Sequence, residues 1–598
     1  MYMTMFMKMI GDEYMNIYEY DVMNFIIKEG YTNQRVIAEI ANCSLGKVNE
    51  SIRKLLEEGY LNEQFILTDK AYKEVCKKKP KNAIILAAGF GMRMVPINTE
   101  VPKGLLEIHG ETLIERLINQ LHEVGIFNID IVVGFLKEKY EYLIDKYGVN
   151  LVYNPNYAIK NNIHSLKLVI DKISNTYILP CDIWAEHNPF SNQELYSWYS
   201  ISDLVDDDSN VRLNRQKELI PIAEGRGGNA MIGITYLLEE QASVVRDNIN
   251  NLCKDKEHDN SFWEVALFHA GQKMTIYARV HPFDKVVEIT TYEQLRELDD
   301  NSNSLDTNIM SLISKVMDVE IKEIQDIVVL KKGMTNRSFR FSIKDKSYIM
   351  RIPGEGTDKL INRKNEYEVY NVIKESRISD DVIYISAENG YKITKFLDKA
   401  RVCDPFNEED VKLCMQKLRS FHDKKLKVQH TFDIYEKINF YESLWAGKPS
   451  IFRDYFETKE KIIALKPIIE SLPKEWLLTH VDAVPDNFLF IDNEIRLIDW
   501  EYAGMQDPHL DIAMFAIYAM YDREYVDRLI DNYFTGDCSR EIRMKIYCYI
   551  AACGLLWSNW CEYKRFCGVE FGEYSLRQYR YAKEYYGIVM KEFINRYR

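Results

Sequence analysis

Two sets of residues in this chain have the types and spacing to handle phosphorus. The first is I-I-L-A-A-G-F-G-M-R-M from Ile84, with P-K-G-L-L from Pro102. An apolar run from Ala83 to Leu86 reads as a strand and opens directly into the glycines. Gly89 and Gly91, beside Ala88, let the backbone approach phosphate oxygens and present N–H groups as an anion-binding concavity. Arg93 and Lys103 add the positive charge needed when an acceptor attacks the α-phosphorus of a nucleoside triphosphate and pyrophosphate leaves. A lone G-x-G is an ordinary turn. Its place after a strand, with the arginine and the P-K behind it, makes the string specific.

The second set is L-L-T-H-V-D-A-V-P-D-N-F-L-F, followed by I-R-L-I-D-W-E-Y-A from Ile495. It contains H-x-D-x-x-x-x-N and, twelve residues after the asparagine, an aspartate closing an apolar strand. Transfer of a phosphoryl group to an alcohol needs a carboxylate to orient and deprotonate the hydroxyl, and oxygen ligands to hold Mg²⁺ on the phosphates. Asp482 is the expected base, Asn487 and Asp499 the expected metal ligands, and His480 a prop for the loop.

Both sets need scaffolds, and the chain is long enough to supply several. Its 598 residues exceed what one core supports, and 46% hydrophobic with 12% aromatic residues gives ample packing material. The formal charge of −14 argues against a protein that mainly coats nucleic acid or an anionic membrane. Eleven cysteines occur without a C-x-x-C pair, which suggests neither a zinc framework nor a disulfide scaffold and points to a reducing, cytoplasmic setting. The N-terminal apolar stretch and the run from Ile546 to Trp557 are too short to span a bilayer.

Residues 1–80 read as short amphipathic helices and a small hairpin, with Thr32 and Ser44 as N-caps and Gly59 as a helix stop. A basic hinge, K-K-K-P-K, precedes a second region, 81–300, of mixed β and α pattern. The polar stretch D-D-N-S-N-S-L-D-T-N from Asp299 reads as a linker. Residues 305–598 carry strands first and helices later, the pattern of a two-lobed unit. There is no internal repeat.

The first motif set resembles the signature of the sugar-phosphate and phosphocholine nucleotidyltransferase family, whose sheet is Rossmann-like. V-V-G-F-L-K at Val132 and N-P-N-Y-A-I-K-N-N-I-H-S-L from Asn154 look like stretches of its bacterial phosphocholine cytidylyltransferases. The resemblance implies nucleotide or substrate contacts at Asn154, Tyr157, Asn161, Asn162 and Ser165. It implies Mg²⁺ at Asp182 in I-L-P-C-D-I-W and at Glu288 in V-V-E-I-T-T, with Thr290 standing where some relatives carry a second acid. Phosphocholine relatives hold a quaternary ammonium among aromatics. S-N-V-R-L-N-R at Ser209 offers none, leaving Trp184, Tyr236 and Trp263 as substitutes or as core.

The second set resembles the choline kinase and aminoglycoside phosphotransferase group, over about residues 320 to 598. K-G-M-T-N-R-S-F-R-F from Lys332 looks like its nucleotide loop, with one glycine, Gly333, and with Thr335, Asn336 and Ser338 as phosphate donors. Arg351 stands where protein kinases use lysine, and Glu366 is its expected partner. Trp557 and Trp560, three apart on a helix, match the tryptophan pair of the choline kinases' quaternary-ammonium pocket, with Tyr521 and Tyr574 as further members and Asp511 stabilising the loop. The N-terminal pattern resembles a winged helix-turn-helix, which would bring Lys47, Asn49 and Ser51 to a DNA groove, or else serve as a docking or regulatory appendage.

The architecture expected is therefore multidomain: an α winged helix-turn-helix, an α/β Rossmann-like nucleotidyltransferase, and an α+β two-lobed kinase-like domain. The expected activities are choline plus ATP to phosphocholine, and phosphocholine plus CTP to CDP-choline and pyrophosphate, with Mg²⁺ and no membrane insertion. Two alternatives are a sugar-1-phosphate nucleotidyltransferase joined to a sugar or aminoglycoside kinase, and a ligand-sensing transcriptional regulator.

Overall fold

The computed structural model describes residues 15–596 except 42, 208, 224, 270–273, 331–335, 355–356, 358–359, 493 and 567–570. It divides into two compact units, Met1–Leu312 and Ile313–Arg598.

The first unit begins with helices α1 (Ile17–Glu29), α2 (Gln34–Ile40), α3 (Leu45–Glu57) and α4 (Asp69–Lys78). Ser44 caps α3 by accepting from Lys47 N, as its residue type predicts. Thr32 is not a cap: α2 starts one residue later, where the Asn33 side-chain oxygen accepts from Arg35 N at 2.9 Å. Val22, Ile37, Val48, Ile52 and Leu55 build a small core that also takes in Leu195 from the next domain. Asp21 accepts from Tyr196 Oη at 2.9 Å and from Lys217 Nζ at 3.0 Å, and Lys217 also reaches the Ala41 carbonyl at 3.1 Å. The helical module is thus docked on its neighbour by a buried cluster and an ion pair.

That neighbour is a mixed seven-stranded sheet. Its strands are β1 (Asn82–Ala87), β2 (Ile129–Val133), β3 (Asn150–Tyr153), β4 (Thr176–Pro180), β5 (Trp198–Asp206), β6 (Gly228–Leu237) and β7 (Tyr277–His281), in the spatial order β7-β5-β6-β4-β1-β2-β3. β1 runs parallel to β2 and β4, and β6 lies antiparallel to β4. Because β1 is central, both of its faces are covered: Ala83, Ile85 and Ala87 enter one hydrophobic cluster, and Ile84, Leu86 and Ala88 the other. This explains the unbroken apolar run where a half-exposed strand would alternate.

The stretch after Asp299 is not a bare tether. Asp299 Oδ2 accepts from His109 N at 2.6 Å, Ser302 Oγ donates to the Glu107 carbonyl at 2.5 Å, and Glu107 N donates to Ser304 Oγ at 2.9 Å. Short polar side chains that look like linker are here bonding backbone.

The second unit opens with a five-stranded antiparallel sheet: β8 (Ile324–Val329), β9 (Asn336–Ile343), β10 (Lys346–Pro353), β11 (Val382–Ile385) and β12 (Lys392–Lys395), ordered β8-β9-β10-β12-β11. Helix α5 (Arg363–Ile373) lies between β10 and β11 in the chain. The rest is mainly helical and includes α6 (His509–Tyr518), the 27-residue α7 (Arg540–Phe566) and α8 (Glu573–Arg596). From Lys545 to Glu562 every residue of α7 is buried, so the apolar run noted in the sequence is a core helix. Among the described residues no helix is long and apolar enough to cross a membrane. The ten described cysteines are all free thiols.

Candidate active sites

In the first unit β1 delivers Ala88, Gly89 and Gly91 to the carboxyl end of the parallel strands, where such sheets bind ligands. A Cβ on Gly89 would meet nothing within 4 Å, so space stands open above it. Gly91 has φ +61°, and a Cβ there would lie 2.6 Å from Lys103 Cγ. The glycine is therefore demanded twice, by the left-handed turn and by the lysine stem passing over it. Arg93 is exposed on the short 3₁₀ turn Met92–Met94.

Lys103 Nζ donates to Asp182 Oδ2 at 2.6 Å. Burial works against the ammonium, yet Asp182, with Glu288 behind it, holds its pKa above the ordinary value. Asp182 lies just beyond β4, and the next segment, Ile183–Ala185, pairs antiparallel with Val286–Glu288, setting Glu288 opposite Ile183. Burial and then the neighbouring Asp182 raise the Glu288 carboxyl to about 7, and Lys103 partly offsets them. Two neighbouring carboxylates sharing one lysine, near the open space above Gly89, fit Mg²⁺. Thr290 instead bonds Gln294.

Two of the expected nucleotide contacts are internal. Asn154 is 1% and Ser165 3% exposed, and Asn154 Nδ2 donates to Ser165 Oγ at 2.9 Å. In this structure their side chains bond each other and shape the loop. Asn161 N and Asn161 Nδ2 donate to the carbonyls of Asp259 and Asn260, and Asn162 Oδ1 accepts from Trp263 N at 2.7 Å. Lys160 Nζ adds a 2.8 Å bond to Asp259. The whole loop is thereby stitched to the segment that carries Trp263 and Glu264. Tyr157 packs its ring 5.2 Å from that of Phe90.

Glu264 escaped the sequence reading. It bonds Tyr199 Oη at 3.2 Å, its other oxygen is buried without a partner, and burial raises its carboxyl to about 7. Only the W-E pair in S-F-W-E hinted at it. Among the substitute aromatics, Tyr236 and Trp263 are buried at 0% and 2% exposure and belong to the core, whereas Trp184 is half-buried beneath Arg116.

In the second unit Asp482 follows the strand Leu477–Thr479. Asn487 Nδ2 donates to its carbonyl at 2.9 Å and to its Oδ2 at 3.2 Å. Val481, at φ +72°, and Asp499, at φ +68°, both adopt the left-handed conformation that L-residues avoid. Strain next to the expected base and at the expected metal ligand itself must be held by the surroundings. Asp511 supplies part of that hold, accepting from His480 N at 3.0 Å and Val481 N at 2.7 Å. His480 is fully buried, burial lowers its pKa, and its Nε2 donates to the Ile498 carbonyl at 3.0 Å: it props the loop, as expected.

Burial, then Asp499 and Glu501, raise the Asp482 carboxyl well above the carboxylate range; burial and then Asp499 raise Glu501 to about 7. Glu501 has Arg363 at 3.4 Å, whereas the Asp482 side chain has the Asn487 amide and the like charge of Asp499 beside it, an arrangement that fits Mg²⁺. Among the described residues no three His, Cys, Asp or Glu side chains form a metal cage by themselves. Mg²⁺ ordinarily completes its shell with phosphate oxygens and water, so a protein cage is not required.

Arg351 on β10 forms the expected pair with Glu366 on α5, at 2.5 Å and 2.9 Å. Although burial disfavours its charge, Arg351 and further cations hold Glu366 below the usual carboxylate range. Asn336 Nδ2 donates to Glu501 Oε2 at 3.1 Å. Thr335 and Gly333 lie outside the described residues.

Trp557 and Trp560 meet edge to face at 5.6 Å, each 8% exposed. Tyr502 lies 5.9 Å from Trp557, Phe571 5.2 Å from Trp560, and Tyr574 6.3 Å from Phe571. Asp482 acts electrostatically on Tyr574, Tyr502 and Tyr441, so these tyrosines lie near the expected base. Tyr502 and Tyr441 were missed; nothing in their spacing announces them. Tyr521 does not join this aromatic wall: its ring stacks on Tyr525 at 5.1 Å and meets Phe406 at 6.1 Å in a separate cluster.

On the winged helix Ser51 is 2% exposed and cannot face a groove. Lys47 and Asn49 are exposed, and Lys47 pairs with Glu50 at 3.0 Å.

Comparison with known proteins yields three family matches: a winged helix-turn-helix DNA-binding model over residues 15–62, a MobA-like NTP transferase domain over 83–190, and choline/ethanolamine kinase over 327–533. The choline-phosphate cytidylyltransferase of Streptococcus pneumoniae is 32% identical, the alignment covering 36% of this chain and 96% of that protein. The 2-aminoethylphosphonate cytidylyltransferase of Lancefieldella rimae is 31% identical over 36% of this chain and 92% of its own length. A solved choline kinase, LicA from Streptococcus pneumoniae, is 25% identical with a TM-score of 0.42, covering 47% of this chain and 97% of that one. The chain belongs to the cytidylyltransferase family that includes the choline-phosphate and 2-aminoethylphosphonate enzymes, and it joins that transferase to a winged helix and a choline/ethanolamine kinase domain.

Proposed function

We propose that the chain catalyses two consecutive steps, phosphorylation of choline by ATP and transfer of CMP from CTP to phosphocholine. The working divisions are 1–80, 81–300 and 305–598, acting in the cytoplasm on small molecules. The observation that carries the reading is the pairing on one chain of Lys103–Asp182 beside an open glycine loop with Asp482 near Tyr502 and Tyr574, which continue into the Trp557–Trp560 cluster.

In the kinase step a carboxylate oxygen of Asp482 takes the hydroxyl proton of choline while the choline oxygen attacks the γ-phosphorus. The bond to the β-phosphate oxygen breaks and ADP leaves. Asn487 and Asp499 are the residues that would hold Mg²⁺, and Arg351 orients the nucleotide phosphates. Trp557, Trp560, Tyr502 and Tyr574 receive the trimethylammonium group through their ring faces. In the transferase step a phosphate oxygen of phosphocholine attacks the α-phosphorus of CTP, and the bond to the β-phosphate opens. Arg93, Lys103 and the N–H groups at Ala88, Gly89 and Gly91 take up charge on the departing pyrophosphate. Asp182 and Glu288 would hold Mg²⁺, and Glu264 in its ionised form balances the acceptor's cation. In both sites the metal, when bound, neutralises phosphate charge and polarises the phosphorus under attack.

DNA readout is not part of this proposal. The cations of α3 are each matched by an acid, Lys47 with Glu50, Arg53 with Glu57 and Lys54 with Glu19, leaving no uncommitted basic stripe for phosphates.

Separating the activities by mutation tests the reading. Asp482→Ala is expected to lower choline phosphorylation by about 10²–10⁴-fold while sparing CMP transfer to supplied phosphocholine. Lys103→Ala is expected to lower CMP transfer by about 10²–10³-fold while sparing the kinase. A folded variant of either kind that lost both activities would refute the two-site assignment.

A further inference from the structure

Four buried side chains in the second unit form a charge-neutral quartet that the transfer steps above do not use in full. Arg351 bonds Glu366; Arg363 Nη1 bonds Glu366 Oε2 at 3.0 Å and lies 3.4 Å from Glu501 Oε2; Arg351 lies 3.9 Å from the same Glu501 oxygen. None of the four is more than 8% exposed. Arg351 comes from the sheet, Arg363 and Glu366 from the first turn of α5, and Glu501 from the segment two residues past Asp499.

Arg363 is costly where it stands. It follows the N-cap Asn362 directly, so its charge opposes the positive end of the helix dipole, and its guanidinium is removed from water. Helix formation gives no reason for a cation there; the two carboxylates do. The backbone opposite makes room as well. Gly390, at φ +70°, would place a Cβ 2.5 Å from Arg363 Cδ, while its carbonyl accepts from Arg351 Nη2 at 2.8 Å. One glycine thus accommodates one arginine and fixes the other.

We propose that Arg363 is a positioning residue that ties the phosphate-orienting pair Arg351–Glu366 to the metal-bearing segment Asp499–Glu501, so that nucleotide and Mg²⁺ bind as a coupled pair. Without Arg363, Glu501 keeps only Asn336 and the distant edge of Arg351. Its charge then competes with Glu366 for Arg351 or turns toward Asp482 and Asp499. Either movement weakens nucleotide and metal together and leaves the choline wall untouched.

This inference rests on the kinase reading, and a wild-type chain that failed to phosphorylate choline would fail that reading first. With active wild type, the full-length Arg363→Gln variant is assayed at varied ATP, Mg²⁺ and choline, and its binding of a non-hydrolysable ATP analogue is titrated by calorimetry with and without Mg²⁺, where the same loss is expected. The expected result is roughly a tenfold rise in the KM for ATP and in the Mg²⁺ concentration for half activity, with the choline KM and CMP transfer within twofold of wild type. Millimolar guanidinium should restore ATP affinity to Arg363→Ala. In the double variant Arg363→Gln/Glu501→Gln, the ATP KM should match that of Glu501→Gln alone, because the charge needing Arg363 is gone. An unchanged ATP KM in Arg363→Gln, equal damage to choline binding, or fully additive losses would overturn the proposal. Should Arg363→Gln lose the thermal transition of its kinase unit, Arg363→Lys decides: it must show the same selective rise in ATP and Mg²⁺ requirement, and a variant equal to wild type overturns the coupling.

Discussion

The two centres handle their phosphate cation in opposite ways. In the transferase Lys103 is bonded to Asp182, one of the carboxylates expected to hold the metal. In the kinase Arg351 has a carboxylate of its own, Glu366, which is not among the expected metal ligands. On the proposed assignment Lys103 would exchange partners when nucleotide and metal arrive, whereas Arg351 is already held by Glu366. A lysine suits the first task because its ammonium is a mobile point charge, and an arginine suits the second because its planar fork is held by two parallel bonds.

The contrast can be broken at Gly91. A methyl group there collides with the lysine stem on which partner exchange depends, so Gly91→Ala is expected to lower CMP transfer by about 10²-fold, the scale of an ångström-sized misplacement, with kinase activity unchanged. Steady-state assays of both steps on the same preparation check this. A smaller effect is expected at the aromatic wall. Trp560→Ala removes a desolvated cation–π contact worth about 2 kcal/mol, which raises the choline KM by about 30-fold and leaves the ATP KM alone. Tyr521→Ala, in its separate cluster, should not change the choline KM.

The smallest expected effect concerns pH. Burial raises the Glu264 carboxyl to about 7, so it is protonated below that pH and charged above it. Its contribution to folding stability is therefore full below the unfolded value and is lost as pH rises through about 7. Binding of a cationic acceptor runs the other way: the KM for phosphocholine should fall several-fold between pH 6 and pH 8, and Glu264→Gln should flatten that profile. A titration of KM against pH in wild type and in Glu264→Gln isolates the contribution of this one carboxylate.

How much of this was legible in the sequence follows from what fixes each residue. The strand feeding Gly89, the Arg351–Glu366 pair and the Asp482–Asn487–Asp499 spacing are local or nearly local, and the structure has them where the pattern put them. The aromatic wall was half legible: Trp557 and Trp560 share a helix face, but Tyr502 joins them only through tertiary packing. Asn154 and Ser165 read as ligand contacts because polar loop residues look alike whether they bond a nucleotide or each other. Glu264, Arg363 and Glu501 were hidden for a further reason. Their roles depend on burial, which a charged residue in a sequence does not advertise. The bonding of the stretch after Asp299 was hidden similarly, since Asp299, Ser302 and Ser304 are the same residue types whether they face water or bond a neighbouring backbone.

The most direct test of two separate phosphorus chemistries on one chain is ³¹P NMR of the purified protein incubated with choline, ATP, CTP and Mg²⁺. The account predicts that phosphocholine appears first, followed by CDP-choline and pyrophosphate in equal amounts, and that omitting CTP stops the sequence at phosphocholine. It would be contradicted if CTP were consumed without ATP and choline alone gave CDP-choline, or if supplied phosphocholine and CTP gave no pyrophosphate while the kinase step ran normally.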